Sequence, residues 1–391
     1  MRRKNVLAIM LVLTFTLFIS SCIQGVKAAD FDEIKNATIG QYKPSVTIFF
    51  EEVKLVGTTA YVADAELPGL RVIDVSDPTS PSQLDSATTT NKSYNIDVAN
   101  NIAFLRVIQG DLVSSDIQCF DVSTPSNPTP TGNIVYSNVH DLQAIDTILY
   151  ICNGSDVIVI NVANVNSPVE LDTFDVGGSA SISVSGDYIY AGVTHSGSAH
   201  YLTIINATNP SSLTLAGNLS TGAFWPGDVA VSGIYAYASG RDMSQPTGTG
   251  GNVRSYNVAD KSNPIALDTL QTDKISTIGI IVSGRTAYTG NALGGMLLVD
   301  VSSPSSLSAI GFYDDYRDTC GSPQSYGTYP QLLIDATHGN IIVWAAMGCG
   351  LMLMSVDNLD FGVVPGPSAL LILLAISVGI IPIYKKIKKQ Q

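Results

Sequence analysis

One nine-residue stretch limits what this chain can fold into: Leu70-Arg71-Val72-Ile73-Asp74-Val75-Ser76-Asp77-Pro78. An apolar strand runs into Asp-Val-Ser and breaks at Asp-Pro. The same shape returns at Met296 to Pro304 and, more loosely, in five other places. One aromatic residue precedes each copy, at Tyr61, Phe104, Tyr150, Tyr190, Tyr237, Tyr288 and Trp344. These lie 43, 46, 40, 47, 51 and 56 residues apart. A repeat of that length overrides the two or three ordinary domains that 391 residues would otherwise suggest.

Within each unit the pattern predicts four short strands. An alternating strand such as Asn95-Ile96-Asp97-Val98 comes first. A tight turn follows, often Ser-Gly, as at Ser185-Gly186, Ser232-Gly233 and Ser283-Gly284. The second strand carries the aromatic. The third ends in Asp74, Asp121, Asn161, Asn206, Asn257, Asp300 or Ser355, and a Pro-containing turn leads to a weaker fourth. Alternation broken by Gly, Pro, Asn and Asp excludes helical repeats. One small sheet cannot bury both faces, whereas sheets stacked radially can. The expected fold is all-β: a seven-bladed β-propeller of four-stranded antiparallel blades over residues 45–358. The Asx column is expected to pin turns by accepting backbone N–H groups two residues on, and the aromatics to pack between blades. The seventh unit has only three strands, so Ser45 to Phe50 are expected to add as its outer strand and remove an exposed edge.

The unit Leu-x-Val-Ile-Asp-Val-Ser-Asp-Pro resembles the LVIVD repeat family of extracellular β-propellers, best in units one and six. The resemblance covers about residues 45–358. It implies blades around a central channel and little about activity.

The ends read differently. Arg2-Arg3-Lys4 precedes the apolar run Val6 to Ile19, 14 residues that rise only about 21 Å as a helix, too short to span a bilayer. Residues 1–28 are therefore read as a secretory signal peptide, with Val26-Lys27-Ala28 offering a cleavage site. Ile19-Ser20-Ser21-Cys22 resembles a lipobox and leaves lipidation of Cys22 as the alternative. Residues 29–44 and 359–367 read as linkers. From Phe361 to Tyr384 no residue is charged, and those 24 residues reach about 36 Å. The membrane helix is placed at 368–384 and a cytoplasmic basic tail at 385–391, with Lys385, Lys386, Lys388 and Lys389 holding the body outside. Val364-Pro365-Gly366-Pro367-Ser368, the apolar helix and the basic tail together resemble the tripartite C-terminal signals read by exosortases and archaeosortases. Those signals usually carry Pro-Glu-Pro or Pro-Gly-Phe, and this chain has Pro-Gly-Pro. A retained helix and a processed one both put the body at the cell surface. Five sequons, at Asn36, Asn91, Asn153, Asn206 and Asn218, fit a glycoprotein on that side.

The charge is segregated. Residues 30–360 hold 12 bases and all 33 acids, a net −21. Such a body repels phosphate backbones, so no nucleic-acid partner is expected. Of the five cysteines, Cys320 and Cys349 form a candidate disulfide, while Cys119 and Cys152 sit in apolar strands as buried thiols.

No catalytic motif stands out: there is no HExxH, GxSxG or P-loop, and Gly248-Thr249-Gly250-Gly251 lacks the setting of a dinucleotide site. Function is expected on loops of the face shared by the second-to-third strand connections and the inter-blade connections: Arg106 to Asp116, Thr194 to His200, Ser239 to Asn252 and Phe312 to Pro330. Residues leading into each innermost strand should ring the channel mouth: Glu52, Asn95, His140, Asp141, Trp225, Asp228, Thr277, Tyr329 and Gln331. That mixture of carboxylates and aromatics suits a sugar or a cation. Asp314-Asp315-Tyr316-Arg317-Asp318 has oxygens enough for calcium but no EF-hand spacing, so it is read as a solvated loop, and no cofactor or metal is assigned. The expected function is a non-enzymatic binding or adhesion module for protein or glycan. The alternatives are a glycan lyase or hydrolase using His140 and Asp141, and a structural envelope component without a ligand.

Overall fold

The computed structural model describes residues 38–44, 50–109, 114–195, 199–245, 250–272, 277–291, 295–313, 327–335, 339–346 and 350–355. Among them are seven four-stranded antiparallel sheets. Six blades are continuous in sequence: blade 1 (50–88), blade 2 (93–137), blade 3 (139–175), blade 4 (179–222), blade 5 (224–271) and blade 6 (277–313). Blade 7 takes three strands from 327–355 and its fourth from the other end of the chain.

That fourth strand is Thr38–Tyr42, which pairs antiparallel with Gly350–Ser355. Ring closure by the N-terminal segment follows the expectation, but its position does not. Phe50 opens the inner strand of blade 1 rather than ending the outer strand of blade 7. The propeller therefore begins at Thr38, within the segment read as a linker. Ser45 to Phe50 were expected there because they lie just before the first unit's inner strand and the seventh unit lacks a fourth. An outer strand is half-solvated and need not be apolar. A glycine signal was present in the sequence. A Cβ on Gly40 would run into the Pro78 carbonyl oxygen of blade 1's turn. Gly132 stands against Val165, and Gly217 against Lys261, in the same way. Tyr42 then seals the joint, stacking on Phe50 at 6.4 Å and donating its hydroxyl to Gln83 Oε1 at 2.6 Å.

Both repeat columns act as the sequence predicts. The oxygens of Asp74, Asp121, Asn161, Asn206, Asn257 and Asp300 accept the N–H two residues on at 2.8–2.9 Å. Tyr61, Phe104, Tyr150, Tyr190 and Tyr237 are buried and pack against the following blade. In blades 1, 4, 5 and 6 the turn after the inner strand has a positive φ, met by Gly57, Gly186, Gly233 and Gly284 at 58–60°. Blades 2 and 3 meet it with Asn100 at 47°, Asn101 at 60° and Asp146 at 51°. The apolar core is correspondingly divided into joints between neighbouring blades. Phe50, Val53, Ile341 and Leu353, for example, close blade 1 onto blade 7.

Cys119 and Cys152 are buried free thiols, as expected. Cys320, Cys349, Asn36, the acidic stretch 314–318, and both terminal segments lie outside the described residues. Among the described residues no helix is long and apolar enough to cross a membrane. Of the remaining sequons, Asn218 is exposed on an outer strand and Asn153 is half-buried at a strand end. Asn206 holds its turn, and Asn91 donates Nδ2 to Gln109 at 2.8 Å.

Candidate functional site at the channel mouth

The inner strands of the blades surround a channel of about 290 Å³. Period-two alternation puts every second side chain of an inner strand toward the bore or the next blade. Pairing with the aromatic strand fixes the equivalence of positions. Lys54, Asp97, Gln143, Ser183, Ala230 and Ile281 each sit opposite the repeated aromatic. Two residues earlier stand Glu52, Asn95, Asp141, Ser181, Asp228 and Gly279. The sequence therefore identified four of that upper ring. Its choice in blade 6, Thr277, is two residues off. Thr277, Tyr329 and Gln331 lie in inner strands of blades 6 and 7, and nothing is described of their side chains.

Glu52, Asp141 and Asp228 are brought together along the channel. Each carboxylate also joins its blade to the next. Glu52 Oε2 accepts the N–H of Ile96 at 3.1 Å, Asp141 Oδ2 that of Ile182 at 2.8 Å, and Asp228 Oδ2 that of Ile280 at 2.7 Å. One layer down, Asp97 Oδ2 accepts from Ala144 at 2.7 Å and Gln143 from Val184 at 2.7 Å. Lys54 Nζ meets Asp97 at 2.6 Å. Asp97, Gln143 and Lys54 were missed in the sequence. The signal for them was their place two residues after the upper ring.

Burial makes the carboxyl groups of this ring weaker acids. It lifts Glu52 well above the usual carboxylate range, helped by the charge of Asp141. Asp228 is pushed up to about 8 by burial and Asp141, and Asp141 to about 6 by burial against the pull of its N–H donors. Asp97, which faces Lys54, belongs to the lower layer.

Above the ring, the inner strands of blades 1, 2 and 3 each carry a register shift that leaves Glu51, Tyr94 and His140 as extra residues at the mouth. Arg106 lies over the Tyr94 ring at 5.8 Å. Its Nη1 donates to Asn95 Oδ1 at 2.9 Å and reaches the His140 carbonyl at 3.5 Å. Burial raises Glu51 to about 7 although Lys92 and Arg106 draw it down. His140 Nε2 lies 3.0 Å from Ser179 Oγ. Burial, then the Arg106 charge, hold its imidazole below the ordinary value. Asp141 does not orient that ring: its oxygens take the N–H groups of Leu142 and Ile182. Trp225 lies in the inner strand of blade 5, three residues before Asp228, and is 43% exposed. Among the described residues no group of three His, Cys, Asp or Glu is arranged to hold a metal.

The sequence profile of the LVIVD repeat matches residues 51–89, 176–221 and 276–315, in blades 1, 4 and 6. No curated protein matches the chain. Solved structures match in fold. A functionally unknown protein from Desulfotomaculum acetoxidans has a TM-score of 0.55 at 11% identity, over 70% of this chain and 87% of that one. Kuenenia stuttgartiensis hydrazine synthase has 0.58 at 12%, over 81% and 97%. Saccharomyces cerevisiae Sqt1 has 0.58 at 8%, over 82% and 99%. At those identities the likeness concerns the propeller alone.

Proposed function

We propose that this propeller of LVIVD repeats is a binding module displayed outside the cell and held at a membrane by its C-terminal segment, with a glycan or protein ligand seated at the channel mouth. One observation carries the ligand site. The mouth gathers half-buried hydrogen-bonding groups beside aromatic faces: Arg106 over Tyr94, the His140–Ser179 pair, and the exposed Trp225. Aromatic faces with a few fixed polar groups are what sugars and peptide side chains are held by. The opposite face offers short hairpin turns. The outward address rests on the basic N-terminal apolar run, the uncharged stretch 361–384 and the lysines after it.

Glycan-array screening and pull-down with the purified chain test the reading. Trp225→Ala and Arg106→Ala are expected to weaken a captured ligand at least about tenfold. Ile145→Ser, on the far face, is expected to leave it unchanged. Equal binding by all three variants, or no ligand in either screen, overturns the assignment. Protease shaving of intact cells tests the address: protection of the body places it inside.

A further inference from the structure

Beyond binding, we propose that Ser179 and His140 form a nucleophile–base pair at the channel mouth that cleaves small acyl esters. His140 Nε2 and Ser179 Oγ lie 3.0 Å apart across the joint between blades 3 and 4. That is the reach at which an imidazole takes a proton from a hydroxyl.

The contact does no structural work that its neighbours do. The inter-blade bonds of the ring run from side-chain oxygens to backbone N–H groups. The His140–Ser179 bond satisfies no main-chain group. The corresponding first positions of blades 1 to 3 are Phe50, Ser93 and Val139, all buried. Ser93 gives its hydroxyl to the carbonyls of Asp64 and Gly69. Ser179 is instead half-exposed and turned to an imidazole. Backbone register explains the difference. The inner strands of blades 1, 2, 3, 5 and 6 shift register near the mouth, whereas blade 4 pairs without a shift from Ser179↔Thr194 to Ser185↔Tyr188. The bulge of blade 3 re-aims His140, and the regular ladder of blade 4 keeps Ser179 in front of it.

The surroundings suit the chemistry. Burial first, and then the charge of the neighbouring Arg106 guanidinium, hold the imidazole below its ordinary value, which favours the neutral ring that can accept a proton. Arg106 Nη1 reaches the His140 carbonyl oxygen at 3.5 Å, which sets a fixed positive charge on the His140 side of the pair. In the first half-reaction Ser179 Oγ adds to the acyl carbon and its proton passes to His140 Nε2. The carbon–alkoxy bond then breaks, and the leaving alcohol takes that proton. In the second half-reaction water adds to the acyl-serine, again giving its proton to His140. The Ser179 ester bond breaks, and the proton returns to Oγ. Ester and water become acid and alcohol, with the imidazole neutral at the end. Asp141, the carboxylate next to His140 in sequence, gives its oxygens to Leu142 and Ile182 instead of the imidazole, so the pair is read as a dyad.

The test is independent of any glycan or protein ligand. The full chain is treated with a fluorophosphonate probe and the adduct mapped by peptide mass spectrometry, while 4-nitrophenyl acetate turnover is followed in parallel. A single adduct on Ser179 is expected in folded protein and none there after denaturation. Ser179→Ala should abolish both the adduct and turnover. His140→Gln, which keeps a polar partner but no base, should lower both at least about 100-fold. Wild-type protein that carries no Ser179 adduct overturns the proposal by itself, whatever the variants do. So does equal labelling of denatured chain, or turnover that survives Ser179→Ala.

Discussion

Asp228 of blade 5 accepts the backbone N–H of Ile280 in blade 6 at 2.7 Å, with its other oxygen taken by Val229 N–H at 2.8 Å. Both oxygens are therefore engaged, and each of the two N–H bonds favours the ionised carboxylate. Burial and the neighbouring Asp141 nonetheless raise the group to about 8. The joint between these blades holds an acid whose bonding favours the ionised form and whose surroundings favour the neutral one.

A pH dependence follows. The folded-state value of Asp228, about 8, stands above an unfolded value of about 3.9. Between those limits the folded chain keeps a proton that the unfolded chain has lost. Stability thus declines as pH rises from about 4 toward 8 and levels off above. Asp228→Asn keeps one acceptor and removes the charge. It is expected to match wild type near pH 4 and to raise Tm by a few degrees at pH 9, about 1–2 kcal/mol for a domain of this size. Differential scanning calorimetry at the two pH values checks this. A variant less stable than wild type at pH 9 refutes it.

Ring closure depends on Gly40 lying against the Pro78 carbonyl. Gly40→Ala is expected to displace the closing strand and cost about 1–3 kcal/mol. Amide exchange should rise first in Thr38–Tyr42 and its partner Gly350–Ser355, with blades 2 to 5 unaffected. Uniform loss of protection across all blades would show that closure and blade folding are a single event.

The turn column separates two substitutions. Asp74 Oδ1 accepts Ser76 N–H at 2.8 Å. Asp74→Asn keeps that acceptor and should shift the denaturation midpoint negligibly, since Asn161 and Asn206 hold their own turns in the same way. Asp74→Ala removes it and should cost about 1 kcal/mol. Urea titration of the two variants decides the matter, and equal midpoints would rule out the bond as a contributor.

The two described cysteines should be inert. Burial pushes Cys119 up to about 12 and Cys152 well above the ordinary thiol range. Peptide-resolved alkylation at pH 8 is expected to miss both in the folded chain and to label both in urea. Native labelling of Cys152 would mean that blade 3 opens locally.

Much of the mouth was legible in sequence because a strand repeats every two residues. Once the aromatic positions were aligned, Glu52, Asn95, Asp141 and Asp228 fell into one ring. Thr277 was misplaced because Gly279, with its φ of 67°, takes the ring position in blade 6 and leaves no side chain to notice. Glu51, Tyr94 and His140 reach the mouth through bulges. A bulge breaks the alternation on which sequence reading depends, so Glu51 and Tyr94 could not be assigned a direction beforehand, whereas His140 was placed at the mouth together with Asp141.

The sequence alone determined the number of blades, the turns that bound their strands, and the aromatics packed at the joints that follow blades 1 to 5. Each of those is encoded within one unit of 40 to 56 residues. The tertiary structure alone decided which segment closes the ring and which side chains meet across it. Thr38–Tyr42 finds Gly350–Ser355, and His140 finds Ser179, between residues far apart in the chain. Local pattern carries no information about such contacts, because they exist only after the blades have been stacked around a common axis.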